Sequence, residues 1–265
     1  MSIKTSFMSF STPESTLEQM LEIAGRFGYE GIEPRLDSGH AHGIEVSAGA
    51  AELRRLRKRV ETSPVALACL ATSLKFADPG KAVEMQAQAR ERIRLAAAVG
   101  ASRLRVFGGA IPEGIEREEA IQCVVGTLAK LAGDASAAGV TLCMETHDHW
   151  CDPAHVAEVM RRVDHPAVAV NWDIMHPVRR GLATMRQAYE TLRPWIRHVH
   201  LHDGVTENDR LRLVPIGEGW IDHREALQCL AEMDYDGFVS GEWIQWEPWE
   251  RHLPRELAAI KRCMA

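Results

Sequence analysis

The chain has 265 residues, 46% of them hydrophobic and 26% charged, with a formal net charge of −6. That is enough for one large domain or two small ones of ordinary globular composition. The acidic balance argues against a broad nucleic-acid surface, and no apolar run is long enough to span a bilayer, so neither nucleic acid nor membrane is expected as a partner.

Short apolar strands alternate eight times with longer helical patterns. A strand over residues 3–10 precedes a helix over 14–28, where Pro13 and Glu14 suit a first helical turn. Strands over 31–35 and 65–71 follow, each leading to a helix, over 48–60 and 79–99. The strand over 102–108 leads to a helix over 116–138, and the strand over 140–146 to a helix over 153–163 that opens on Asp152 and Pro153. Strands over 167–172, 196–202 and 237–243 alternate with helices over 184–193, 222–234 and 254–263. Gly100, Gly139 and Gly237 stand where a helix must stop before the next strand.

Strict alternation implies a parallel sheet, and eight units over this length predict a (β/α)8 TIM barrel. A doubly wound open sheet is the runner-up, but the turn after the first strand, SFMSFSTPE, has no glycine to cradle a phosphate. No Ser/Gly-rich linker divides the chain, so residues 1–265 are expected to form a single domain. The start, MSIKTSFMSF, lacks the apolar core and cleavage site of a signal peptide, which makes the cytoplasm the expected location. Six cysteines occur without a CxxC and read as small core residues in a reducing compartment.

In such a barrel chemistry sits at the C-terminal ends of the strands. Strand five ends in Glu145, strand six in Asp173 and strand eight in Glu242, while strand seven carries His198, His200 and His202. A lone acidic residue ending a strand is more often a helix cap or an ion-pair partner. Four adjacent strands each delivering a ligand type at one level is a different matter, because bare charge at the mouth of an apolar barrel is costly. Residues two apart on a strand share a face, so the three histidines point the same way. His198 would lie deepest, as a hydrogen-bonded core residue, His202 near the rim within reach of substrate, and His200 at the level of a ligand. Glu145, Asp173, His200 and Glu242 form a hard, open set for one divalent metal ion, with Mn2+ first and Mg2+, Co2+ or Zn2+ as alternatives.

Other residues carry weaker signals. His147 follows Glu145 in the same phase and is a candidate for substrate contact, the alternative being an exposed rim histidine. Glu33 and Arg35 end strand two below a loop holding His40 and His42; Arg35 is a candidate substrate contact, and the histidines either close over substrate or belong to a solvated loop. Trp243 is expected to wall a sugar pocket and Trp249 to face a subunit interface in a possible homo-oligomer.

The segments GYEGIEPR, METHDHW, NWDIMH, HVHLHDG, PIGEG and SGEW, in this order, resemble the xylose isomerase-like barrel superfamily over nearly the whole chain. That superfamily holds sugar isomerases, ketose 3-epimerases, inosose and dehydroshikimate dehydratases and AP endonucleases. The resemblance implies that Glu145, Asp173, His200 and Glu242 are metal ligands, and that Glu145 and Glu242 flank the substrate as the two acid–base groups. It implies substrate contacts for His176, three residues after Asp173, and for Arg212, with Arg210 as a competitor. The endonuclease pattern is broken: strand four ends RVFGG without a histidine, and Leu213 stands where another would fall.

The expected chemistry is metal-assisted enolisation of a sugar or keto-polyol through an enediolate, by an isomerase or epimerase. The alternative is a lyase or dehydratase on a keto-sugar or an inosose- or dehydroshikimate-like substrate, and a non-catalytic sugar-binding barrel stands behind both. With no phosphate-binding turn and no lysines clustered at the strand ends, a non-phosphorylated or weakly charged substrate is expected.

Overall fold

The computed structural model describes residues 3–208 and 210–265. Its strands are β1 (Lys4–Met8), β2 (Gly31–Glu33), β3 (Ala66–Leu67), β4 (Leu70–Lys75), β5 (Arg103–Phe107), β6 (Thr141–Glu145), β7 (Val168–Asp173), β8 (Ile196–Leu201), β9 (Asp203–Glu207), β10 (Arg210–Val214) and β11 (Phe238–Gly241). Nine of them form one sheet in the order β3-β2-β1-β11-β8-β7-β6-β5-β4. A parallel bridge from Arg35 to Ala71 brings the two ends of that sheet together. The ring is therefore a TIM barrel whose third strand position is shared by two short pieces, β3 and β4, where the sequence predicts one strand over 65–71.

Helices α1 (Leu17–Phe27), α2 (Ala50–Glu61), α3 (Ala82–Val99), α4 (Arg117–Ala137), α5 (Pro153–Val163), α6 (Met175–Arg179), α7 (Met185–Leu192), α8 (His223–Glu232) and α9 (Trp249–Met264) follow the strands. Helix α1 starts later than predicted because Thr16 and Gln19 exchange side-chain caps, which fixes the first turn at Leu17. Helix α9 starts five residues before Pro254, which sits inside it and forfeits one backbone hydrogen bond. Among the described residues no helix is long and apolar enough to cross a membrane.

Strand register sorts the side chains into two layers. Leu104, Leu142 and Val168 are register partners, as are Val106, Met144 and Val170, and all are buried apolar residues. The alternate set is polar: Glu145 pairs with Asn171, Asn171 with His198, Asp173 with His200, His200 with Ser240, and Ser240 with Ser6. Since period-2 alternation sends one set to the helices, the other lines the barrel interior.

Candidate metal centre

At the C-terminal ends of β6, β7, β8 and β11, one ligand atom from each of Glu145, Asp173, His200 and Glu242 lies within 4.8 Å of the others. His200 is the hub. Its Nδ1 is 2.9 Å from Glu145 Oε1 and 3.3 Å from Glu242 Oε2, and its Nε2 is 3.1 Å from Glu33 Oε1. The other Glu33 oxygen is 2.7 Å from His198 Nε2. Glu33, Glu145, Asp173, His198 and His200 are at most 1% exposed.

Asp173 serves two purposes at once. Oδ1 accepts from the backbone N–H of Met175 and His176, capping the short helix α6 that no sequence pattern announced. Oδ2 is thereby left to face the cluster, 2.9 Å from His202 Nε2. Thr146 locks the strand end, accepting from Asp173 N–H and donating to Asp173 O. Glu145 is held from below by Arg105, whose Nε lies 3.2 Å from Oε2, within ion-pair distance but without a hydrogen bond.

Burial alone would raise these carboxyls, but the imidazoles win. His198 and His200 hold Glu33 well below its usual range, His176 and His202 do the same for Asp173, and His200 holds Glu242 at about 2. Conversely, burial works against a proton on His200, yet Glu33 and Glu145 raise its pKa well above the ordinary imidazole value. Four buried carboxylates outnumber Arg105 and the protonated His200, and a divalent cation would offset that excess of negative charge. The donors present, hard oxygens with one imidazole, fit such an ion.

The xylose isomerase-like TIM barrel family matches residues 16–263. The chain belongs to that family. It is 25% identical over 257 residues to a 3-dehydroshikimate dehydratase of Bacillus anthracis, a match covering 89% of each chain. A D-psicose 3-epimerase from Clostridium cellulolyticum H10, solved with D-tagatose, superposes with a TM-score of 0.80 at 14% identity over 99% of both chains. The IOLI protein, solved with a zinc atom bound, superposes with a TM-score of 0.77 at 20% identity, covering 98% of this chain and 96% of that one.

Within the family fold, the remaining candidates separate. His147, His176 and His202 form a row of edge-to-face rings beside Asp173, with centroids 4.5 Å and 5.6 Å apart. His147 also rests on Phe107. Burial opposes a charge on His147, but Asp148 at 3.0 Å and the two site glutamates raise its pKa to about 9. Arg35 reaches Ser73 Oγ and the carbonyl oxygens of Leu36 and Ala71.

Two predicted contacts lie elsewhere. Arg212 is on the antiparallel β9–β10 hairpin, where Leu211 and Leu213 pack toward the core and Arg210 and Arg212 alternate outward. Its side chain is exposed and pairs with Glu207 at 2.8 Å. Trp243 does not wall a pocket: it is fully buried, packed over Gly241 and beside His252. Trp249, expected at a subunit interface, stacks edge-on against Phe27 of α1.

The Asp-Gly ending of HVHLHDG has a structural role. Asp203 accepts from the backbone N–H of Gly204, Gly217, Gly219 and Ile221, tying β9 to the PIGEG turn. Gly219 must be glycine, since a Cβ there would fall 2.1 Å from Asp203 Oδ1.

Sequence reasoning left Glu33 and Arg105 outside the site. Strand parity held the signal, because Glu33 ends β2 at the rim and Arg105 shares the inward face with Phe107. Sequence reasoning also did not bring the cations beside the cluster together. Arg35, Lys75 and Lys81 line one pocket of about 570 Å³, together with Ser73, Phe107 and His147.

Proposed function

We propose that this protein is a divalent-metal-dependent isomerase or epimerase that moves a proton at the carbon beside a carbonyl of a small polyhydroxylated substrate. The observation that carries this reading is the meeting of Glu145 and Glu242 at one atom, His200 Nδ1. Glu145, Asp173, His200 and Glu242 would hold the ion, which supplies Lewis-acid stabilisation of negative charge on substrate oxygen. Mn2+ suits this oxygen-rich set, and Zn2+ is the alternative that the zinc-bearing relative suggests. Glu145 and Glu242 would serve as the two acid–base groups: one takes the proton from carbon, the other returns one. Glu33 orients His200, and the His147–His176–His202 row offers N–H groups to substrate hydroxyls.

A second reading, a lyase that expels water from a keto acid, is favoured by the cationic pocket beside the cluster and by the likeness to a dehydratase. It shares the first proton abstraction and differs in protonating a leaving oxygen. Incubating the Mn2+-loaded protein with a panel of ketoses, inososes and cyclic keto acids in deuterated water separates the two. Deuterium entering carbon without loss of water supports the isomerase or epimerase, and an unsaturated product supports the lyase. Neither outcome from metal-loaded protein across the panel would overturn both.

A further inference from the structure

The pocket at the ends of β2, β4, β5 and β6 gathers the cations Arg35, Lys75 and Lys81. Ser73 and Lys75 stand two apart on β4, so both face its mouth. The Arg35 guanidinium is half-buried, and its partners are carbonyl oxygens and a hydroxyl; among the described residues no carboxylate lies within ion-pair distance of it or of Lys75. Burial and the nearby Arg105 pull the Arg35 pKa down to about 10, against the opposing pull of Asp37, Glu242 and Glu145.

Two acids also face the pocket, and both are engaged. Asp78 accepts from Gly80 N–H and stands 3.8 Å from Lys81, while Asp148 is held by His147. The lysine stem is seated by a glycine: Gly109 has φ 85°, and a Cβ there would come within 2.8 Å of Lys75 Cβ. The Trp150 indole N–H fixes that turn by donating to Gly109 O. Phe107 and Met85 supply apolar wall.

Position ties this pocket to the metal centre. Lys75 is the register partner of Phe107, and Phe107 of Glu145. At the spacing of adjacent strands, Lys75 is roughly 10 Å around the rim from Glu145. A lysine side chain and a small polyhydroxylated molecule together span that distance.

We propose that Arg35, Ser73, Lys75 and Lys81 form a subsite for an anionic group, a carboxylate or a phosphate, carried by the substrate whose carbonyl end meets Glu145 and Glu242. This deepens the carbon-acid reading above and rests on it for the placement of the carbonyl. It gives a fixed anionic group to the substrate that the sequence leads one to expect as non-phosphorylated or weakly charged. Fixed Arg and Lys donors around a hydroxyl are the usual means of holding such oxyanions.

The test is a binding measurement on the Mn2+-loaded protein with matched pairs: D-gluconate against D-sorbitol, and D-fructose 6-phosphate against D-fructose. At least one anionic member should bind roughly ten- to a hundred-fold tighter than its neutral counterpart. The pair that shows the preference tells carboxylate from phosphate. In a Lys75→Met/Lys81→Met variant the preference should collapse, with Mn2+ retention showing that the barrel is intact. Arg35→Met gives an independent second variant. Equal binding within both pairs, no saturable binding of either anion, or a preference untouched by the substitutions overturns the subsite. Exchange on neutral ketoses without any charge preference would remove the subsite and leave the carbon-acid reading. A charge preference without exchange or elimination would do the reverse.

Discussion

His200 stands between carboxylates on both sides, with Nε2 3.1 Å from Glu33 Oε1 and Nδ1 2.9 Å from Glu145 Oε1. The first contact decides which ring nitrogen is free to bind an ion: a proton kept on Nε2 by Glu33 leaves Nδ1 as the lone-pair donor. Carboxylates that orient a ligating imidazole in this way typically account for about 10–100-fold in metal affinity. Glu33→Gln keeps an acceptor for the N–H but removes the charge. Its Mn2+ affinity, measured by competition with a chelator, should fall by roughly tenfold or more. An affinity equal to wild type would show that Glu33 is only a partner for His198.

Glu145 and Glu242 should be separable as ligands and as proton carriers. Gln at either position retains an oxygen donor and loses the base. General acid–base groups are worth about 10²–10⁴ in rate, so each variant should retain metal and lose most turnover. If the two groups work from opposite faces, the variant lacking the abstracting base should lose solvent exchange at carbon. The variant lacking the returning acid should keep exchange while product formation fails. A Gln variant that turns over normally with metal bound would move the role to His147, His176 or His202.

The barrel and the four-residue cluster could be read from the chain because both depend on short-range periodicity. Strand ends are legible as carboxylate or imidazole positions, and parity fixes which histidines share a face. Arg212 as a substrate contact rests on the family resemblance alone. Its true orientation follows from the β9–β10 ladder, a pairing that no local pattern signalled. Trp243 failed for a related reason: its ring folds back over Gly241, a glycine whose missing Cβ opens that space. The cationic pocket was missed because Arg35 meets Ser73 and Lys75 only when the ring closes at the Arg35–Ala71 bridge.

Arg105 should be a stability residue whose loss a metal ion partly repairs. It is 1% exposed, donates to Thr72 O at 2.7 Å, and lies 3.9 Å from the Phe107 ring centroid. Arg105→Met leaves Glu145 buried without its cation, a change that typically costs about 3–5 kcal/mol. Urea unfolding of the metal-free variant should show a loss of that order. Excess Mn2+ should stabilise the variant as well as the wild type, through binding to the folded state alone. A loss below about 1 kcal/mol in the metal-free protein would mean that the carboxylate cluster does not rely on this arginine.

His42 sets a pH limit on the loop that carries Arg35. The ring is buried as a neutral imidazole: Nδ1 accepts from Ile44 N–H at 3.1 Å and Nε2 donates to Arg35 O at 3.1 Å. Burial pulls its pKa down from 6.5 to about 4. Between those values the unfolded chain binds a proton that the folded loop rejects. The stabilisation is therefore complete above pH 6.5 and is lost as pH falls toward 4. A shift of that size corresponds to roughly 3 kcal/mol. Protonation would also put a donor where Ile44 N–H needs an acceptor. His42→Gln stays neutral throughout, so its stability should fall less steeply than wild type across this window, whatever its starting value at pH 7. Unfolding free energies measured at half-unit steps from pH 7 to pH 4 check this. Parallel curves for the two proteins would show that His42 does not titrate on unfolding and that another buried imidazole, such as His223 or His252, sets the acid limit.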